Sequence, residues 1–97
     1  MLKDNMASDQ QISNAEHYKQ TDQIMLRLID QYLQYSGDES GELIMSAYEY
    51  AKEAHEGQKR NTGEDYIVHP VATLEILIDI QVDQDTLIAA LLHDVAE

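Results

Sequence analysis

The chain has 97 residues and a mass of 11.1 kDa, room for one small domain with a single core. Its 19 acidic residues against 6 Lys and Arg give a formal charge of −13 and a pI near 4.3, which repels nucleic-acid backbones and anionic lipid and argues against either as a partner. It has no cysteine, so disulfides, thiolate zinc sites and Cys nucleophiles are excluded, and any metal has to be held by His and carboxylate side chains.

Residues 1–14 (MLKDNMASDQQISN) show neither helical nor strand periodicity and are expected to form a flexible tail, followed by one helical unit over 15–97. No apolar run approaches the roughly 18 residues needed to span a bilayer, and the opening residues lack the apolar segment of a secretory signal, so a cytoplasmic location is expected. From Thr21 to Tyr35 the apolar residues Met25, Leu28, Ile29, Tyr32 and Leu33 follow the spacing of an amphipathic helix, ended by Ser36 and Gly37. Ser40 is expected to cap a second helix from Gly41 to Glu56, with Ile44, Ala47, Tyr48 and Ala51 inward and Gly57 as its stop.

The polar stretch 57–66 (GQKRNTGEDY) reads as a loop, with a turn at Asn61-Thr62-Gly63. Pro70 biases His69 toward extended backbone and suits the start of a third helix, so His69 is expected at a loop-to-helix junction. That helix runs to about Asp79, with Val71, Leu74, Leu77 and Ile78 inward. Asp83 is placed to cap a fourth, from Gln84, whose apolar side is Leu87, Ile88, Leu91, Leu92 and Val95 and which carries His93 and Asp94 to the chain end. An apolar helix that stops at Val95-Ala96-Glu97 without a C-cap suggests a fragment. The fold class expected is all-α, about four helices.

Three residues look like a ligand set. His93 and Asp94 are adjacent on one helix, about 100° apart around its axis, and His69 offers a second imidazole from another element. Two nitrogens and one oxygen suit manganese, iron(II) or zinc better than calcium. Three protein ligands leave positions open for water and a phosphate oxygen, and Glu97, four residues after His93, is placed to orient or deprotonate that water. On spacing alone a plainer reading competes: a His on an apolar helix is more often a hydrogen-bonded core residue than a ligand. His55, in line with Ile44, Tyr48 and Ala51, reads as packed core.

Lys52, Lys59 and Arg60 concentrate positive charge in a negative chain, a candidate anion site, and Arg60 is able to lay its guanidinium on a purine ring. A solvated loop with ordinary surface charges accounts for the same residues. Tyr48, Tyr50 and Tyr66 are expected in the core or at its rim.

The segments Ala47–Gln58, Arg60–Pro70 and Ala89–Glu97, taken in order, resemble the start of the hydrolase domain of the RelA/SpoT family. The resemblance implies an all-α, HD-type fold, here a partial bundle truncated at its C-terminus, and removal of the 3′-pyrophosphate from ppGpp or pppGpp with Mn2+, whose binding is expected in the complete domain and weak or absent in this fragment. It implies His69, His93 and Asp94 as metal ligands, Arg60 stacking on guanine within a substrate-binding loop that includes Asn61 and Thr62, and Glu97 as the first half of a catalytic Glu-Asp pair. Two positions depart from the family pattern: Asn61 replaces a basic residue, weakening phosphate attraction, and Asp65 replaces a proline, which should loosen the loop.

Three functions follow as expectations. The first is the N-terminal part of a metal-dependent ppGpp 3′-pyrophosphohydrolase, inactive by itself. The second is a non-enzymatic fragment that self-associates into homo-oligomers through uncovered apolar faces of its last two helices. The third, opened by Asn61 and Asp65, is an HD phosphohydrolase for another nucleotide.

Overall fold

The computed structural model describes residues 18–59, 63, 65–93 and 95. The expected tail, Arg60, Asn61, Thr62, Asp94 and Glu97 lie outside the described residues. Four helices follow in order: α1 (Lys19–Ser36), α2 (Glu42–Ala54), α3 (Val68–Asp79) and α4 (Gln84–Leu92). The all-α class is as the periodicity indicates, and no helix among the described residues is long and apolar enough to cross a membrane.

α1 buries Met25, Leu28 and Tyr32 and keeps Ile29 and Leu33 at the core's edge, so its apolar stripe is the expected one. Gly37 ends it in the left-handed conformation at φ 77°, which a residue without Cβ adopts without strain. α2 buries Ile44, Ala47, Tyr48 and Ala51. Its cap differs from expectation. Gly41, not Ser40, is the residue before the first helical turn, and no side chain caps it. Gly41 is buried where α1 crosses, and a Cβ there would collide with the Ile29 side chain, so close approach rather than capping selects the residue.

α2 packs chiefly on α4, α1 on α3, and α3 on α4, while α1 and α2 touch over a small area. The shared core joins the three buried residues of α1 to Ile67, Val71, Leu74 and Ile78 of α3 and its approach, and to Leu87 and Leu91 of α4. Each such aliphatic side chain contributes about 1.5–3 kcal/mol on burial, which offsets the chain entropy of a domain this small. Leu77, expected inward, is only half-buried, while Ile76 on α3 and Ile80 just after it are exposed at 67% and 66%.

Polar links brace the joints. Tyr35 donates its hydroxyl to the Val82 carbonyl at 2.8 Å, tying the end of α1 to the α3–α4 turn. Arg27 of α1 and Glu75 of α3 pair at 3.0 Å on the surface, a contact worth little in water. The α3–α4 turn is a Schellman motif: Val82 N–H donates to Leu77 C=O at 3.3 Å and Gln81 N–H to Ile78 C=O at 3.0 Å. Gln81 takes the left-handed position, at φ 59°. Asp83 does precede α4 as expected, yet its carboxylate accepts from the Thr86 hydroxyl rather than from a backbone amide.

Candidate metal and nucleotide site

His69 is not in extended backbone. It is the second residue of α3, with its N–H donating to Tyr66 C=O at 3.2 Å. Proline at the third helical position lacks only an N–H that has no partner inside the helix, so the helix starts before Pro70 despite the bias on its neighbour. His93 also departs from expectation: α4 stops at Leu92, and His93 follows in a turn with right-handed backbone at φ −52°, ψ −50°. Both imidazoles are on exposed residues.

Topology brings these two residues toward each other. The chain reverses between Asp79 and Gln84, and α3 and α4 pack as neighbours, so the helices run in opposed directions. From the turn back to His69 is about 15 Å of α3, and from the turn forward to His93 about 14 Å along α4. The two imidazoles thus stand at the same end of the hairpin, away from the turn. Among the described residues no group of three His, Asp or Glu side chains assembles as a metal set. Two imidazoles on exposed residues offer ring nitrogens of the kind that suit a borderline divalent cation, and the carboxylates expected with them, Asp94 and Glu97, are outside the described residues.

The loop from α2 to α3 is closed at its neck. Tyr66 N–H donates to Gln58 C=O at 3.1 Å, Lys59 and Asp65 form an antiparallel bridge, and the Lys59 ammonium sits 3.2 Å from the Asp65 carboxylate. Asp65, expected to loosen the loop where a proline is usual, supplies the acceptor that closes it. Gly57, in left-handed backbone at φ 79°, turns the chain out of α2 as expected, although the helix itself ends earlier, at Ala54.

Below the neck lies His55, 8% exposed and packed as expected. Its ring stacks on Tyr66 at 4.5 Å between centroids and 21° between planes, and its Nδ1 is 3.1 Å from Gln58 Oε1. Its Nε2 is buried without a hydrogen-bond partner among the described residues. Sequence reasoning missed this junction, although the His55-x-x-Gln58 spacing at a helix end was its available signal.

The basic cluster does not act as a unit. Lys52, its side chain only 17% exposed, pairs with Asp22 and Glu49 at 3.1 Å each and lies over the Tyr18 and Tyr48 rings. Burial alone would lower the Lys52 pKa, but the hydrogen bonds and charges of Asp22 and Glu49 outweigh it and raise it. Lys52 is therefore committed to the α1–α2 joint and withdrawn from any anion site. Tyr48 is fully buried and Tyr66 half-buried, but Tyr50, expected at the core or its rim, is 62% exposed because it lies on the face of α2 away from α4.

A family model described as an HD domain matches residues 47–97. Among curated proteins, the chain is similar to a guanosine-3′,5′-bis(diphosphate) 3′-pyrophosphohydrolase of Vibrio cholerae, 54% identical over 56 residues, 58% of this chain and 8% of the relative. It is similar to the bifunctional (p)ppGpp synthase/hydrolase SpoT of Escherichia coli, 56% identical over 54 residues, 56% of this chain and 8% of the relative. It is also similar to a guanosine-3′,5′-bis(diphosphate) 3′-pyrophosphohydrolase of Aquifex aeolicus, 46% identical over 71 residues, 73% of this chain and 10% of the relative. The chain thus spans a tenth or less of the length of these relatives. No solved structure matches it significantly.

Proposed function

The chain belongs to the HD domain family, and from that premise we propose that it is the N-terminal part of a RelA/SpoT-type hydrolase acting on the 3′-pyrophosphate of ppGpp or pppGpp. The observation that carries this reading is the identity of 54% over 56 residues and 56% over 54 residues to two enzymes named for that nucleotide, together with the HD-domain match over residues 47–97, a range that holds every candidate residue. His69, His93 and Asp94 are the residues that would hold a divalent cation, manganese in this reading, whose Lewis acidity would polarise a phosphate oxygen and lower the pKa of water. Arg60 stacks on the guanine base, with Asn61 and Thr62 lining the same loop. Glu97 takes the proton of the attacking water. Water adds to the phosphorus attached at O3′, the P–O3′ bond breaks, and the products are pyrophosphate with GDP from ppGpp or GTP from pppGpp. The setting is the cytoplasm, where a soluble nucleotide is the partner.

The test uses the longer protein that contains these residues. Incubated with manganese and ppGpp, it should release GDP and pyrophosphate in equal amounts, and His69→Ala or His93→Ala should abolish the release. Equal turnover of adenosine and guanosine substrates would move the reading to an HD phosphohydrolase for another nucleotide, a change that Asn61 supports. A second reading, homo-oligomerisation of these residues without catalysis, draws on the exposed side chains of Ile76 in α3 and Ile80 just after it. Light scattering separates them: a monodisperse monomer rules out self-association.

A further inference from the structure

We propose that His55 is the positioning residue of the loop between α2 and α3, holding through Gln58 and Tyr66 the neck from which Arg60 extends. The inference rests on the nucleotide-binding role proposed above for that loop and adds a residue to it. His55 belongs to α2, as its C-cap, with its N–H donating to Ala51 C=O at 3.0 Å, so its backbone is fixed by a helix packed on α4. Its side chain reaches both strands of the neck. Nδ1 meets Gln58 on the outgoing side, and the ring face meets Tyr66 on the returning side.

A structural filler would be chemically different. Phe or Leu occupies the same space without leaving a polar nitrogen in the interior, whereas His55 carries a buried Nε2 with no partner among the described residues. An imidazole kept there at that cost is explained by what its other nitrogen does. With Gln58 Oε1 as the acceptor, the Nδ1–H tautomer of His55 is the one that makes this bond. The donation fixes Gln58, whose backbone carbonyl in turn accepts from Tyr66 N–H at 3.1 Å. Lys59 follows, bridged to Asp65, and Arg60 is the next residue along the chain. One imidazole thereby holds the two sides of the neck together, and through Tyr66, whose carbonyl accepts from His69 N–H at 3.2 Å, it also braces the start of α3.

Two variants separate the bond from the bulk. His55→Asn puts an amide N–H where Nδ1–H stands and gives up the ring; His55→Phe keeps the ring and gives up the bond. In this 97-residue chain, amide NMR of Gln58, Lys59, Asp65 and Tyr66 should shift strongly in His55→Phe and stay close to the parent in His55→Asn, with α1 and α4 amides unchanged in both. Affinity for GDP, measured by titration of the longer protein that contains these residues, should fall roughly tenfold in His55→Phe, the loss of one hydrogen-bonded constraint, and be largely restored in His55→Asn. The proposal is overturned by neck amides in His55→Phe that match the parent, by His55→Asn perturbing them more than His55→Phe, or by GDP affinity that ignores a displaced neck. If the longer protein with His55 intact does not bind GDP, the nucleotide reading of the loop fails, and the neck amides alone decide the role of His55.

Discussion

Tyr48 donates its hydroxyl to the Asp22 carboxylate at 2.5 Å, and that bond fastens α1 to α2, two helices that otherwise touch over a small area. Lys52 closes on the same carboxylate oxygen at 3.1 Å, so one acid serves a phenol and an ammonium. Tyr48→Phe removes the donor and leaves Asp22 with its Lys52 partner. Asp22 is partly solvent-exposed, so the loss should be about 1 kcal/mol rather than the larger cost of orphaning a buried charge. Urea unfolding followed by circular dichroism measures it, and an unchanged midpoint contradicts the role given to the bond.

The same joint makes the fold sensitive to alkali. Burial, followed by the hydrogen bond to Asp22, raises the Tyr48 pKa far above its ordinary 10.0, and burial is also the first cause raising Tyr18, Tyr32 and Tyr35. A group whose folded pKa lies above its unfolded value contributes fully below the unfolded value and loses that contribution as pH rises past it. Lys52, also raised, acts in the same direction. Stability should therefore be level up to about pH 10 and fall steeply above it, with a shallower fall in Tyr48→Phe. Thermal melts between pH 8 and 11 give the slope; a flat profile refutes it.

Gln81 holds a left-handed backbone at the turn that aligns α3 with α4. Its Schellman bonds do not need its side chain, and glycine adopts the same conformation without the Cβ penalty. Gln81→Gly should stabilise the fold by about 0.5–1 kcal/mol, net of the greater freedom glycine has when unfolded. A raised unfolding midpoint supports this, and a lowered one means the Gln81 side chain has a role that the turn geometry does not show.

Much of this architecture is legible in residue spacing. The stripes Met25-Leu28-Tyr32, Ile44-Ala47-Tyr48-Ala51 and Val71-Leu74-Ile78 are the buried faces, because a period of 3.6 leaves one side of each helix apolar. Gly37 and Gly57 both stand at left-handed turns, because few other residues take that geometry without strain. What spacing does not carry is the partner across space. Ser40 looks like a cap until Ile29 is seen pressing on Gly41, and Lys52 looks like an anion site until Asp22, 30 residues away, is seen beneath it. His69 and His93 stand out as candidate ligands by residue type, and the family resemblance strengthens the pairing; their common end of the α3–α4 hairpin follows from the reversal at Gln81, a residue type that gives no turn signal.

The central claim is that His69 and His93 share one cation. Adding substoichiometric Mn2+ to the chain and following the imidazole resonances of its 4 histidines tests it most directly. Selective broadening of His69 and His93 together, weakened by Asp94→Ala, is the outcome this account predicts. Equal broadening of all the histidines, or broadening confined to the acidic cleft around Asp38, Asp83 and Asp85, would contradict it.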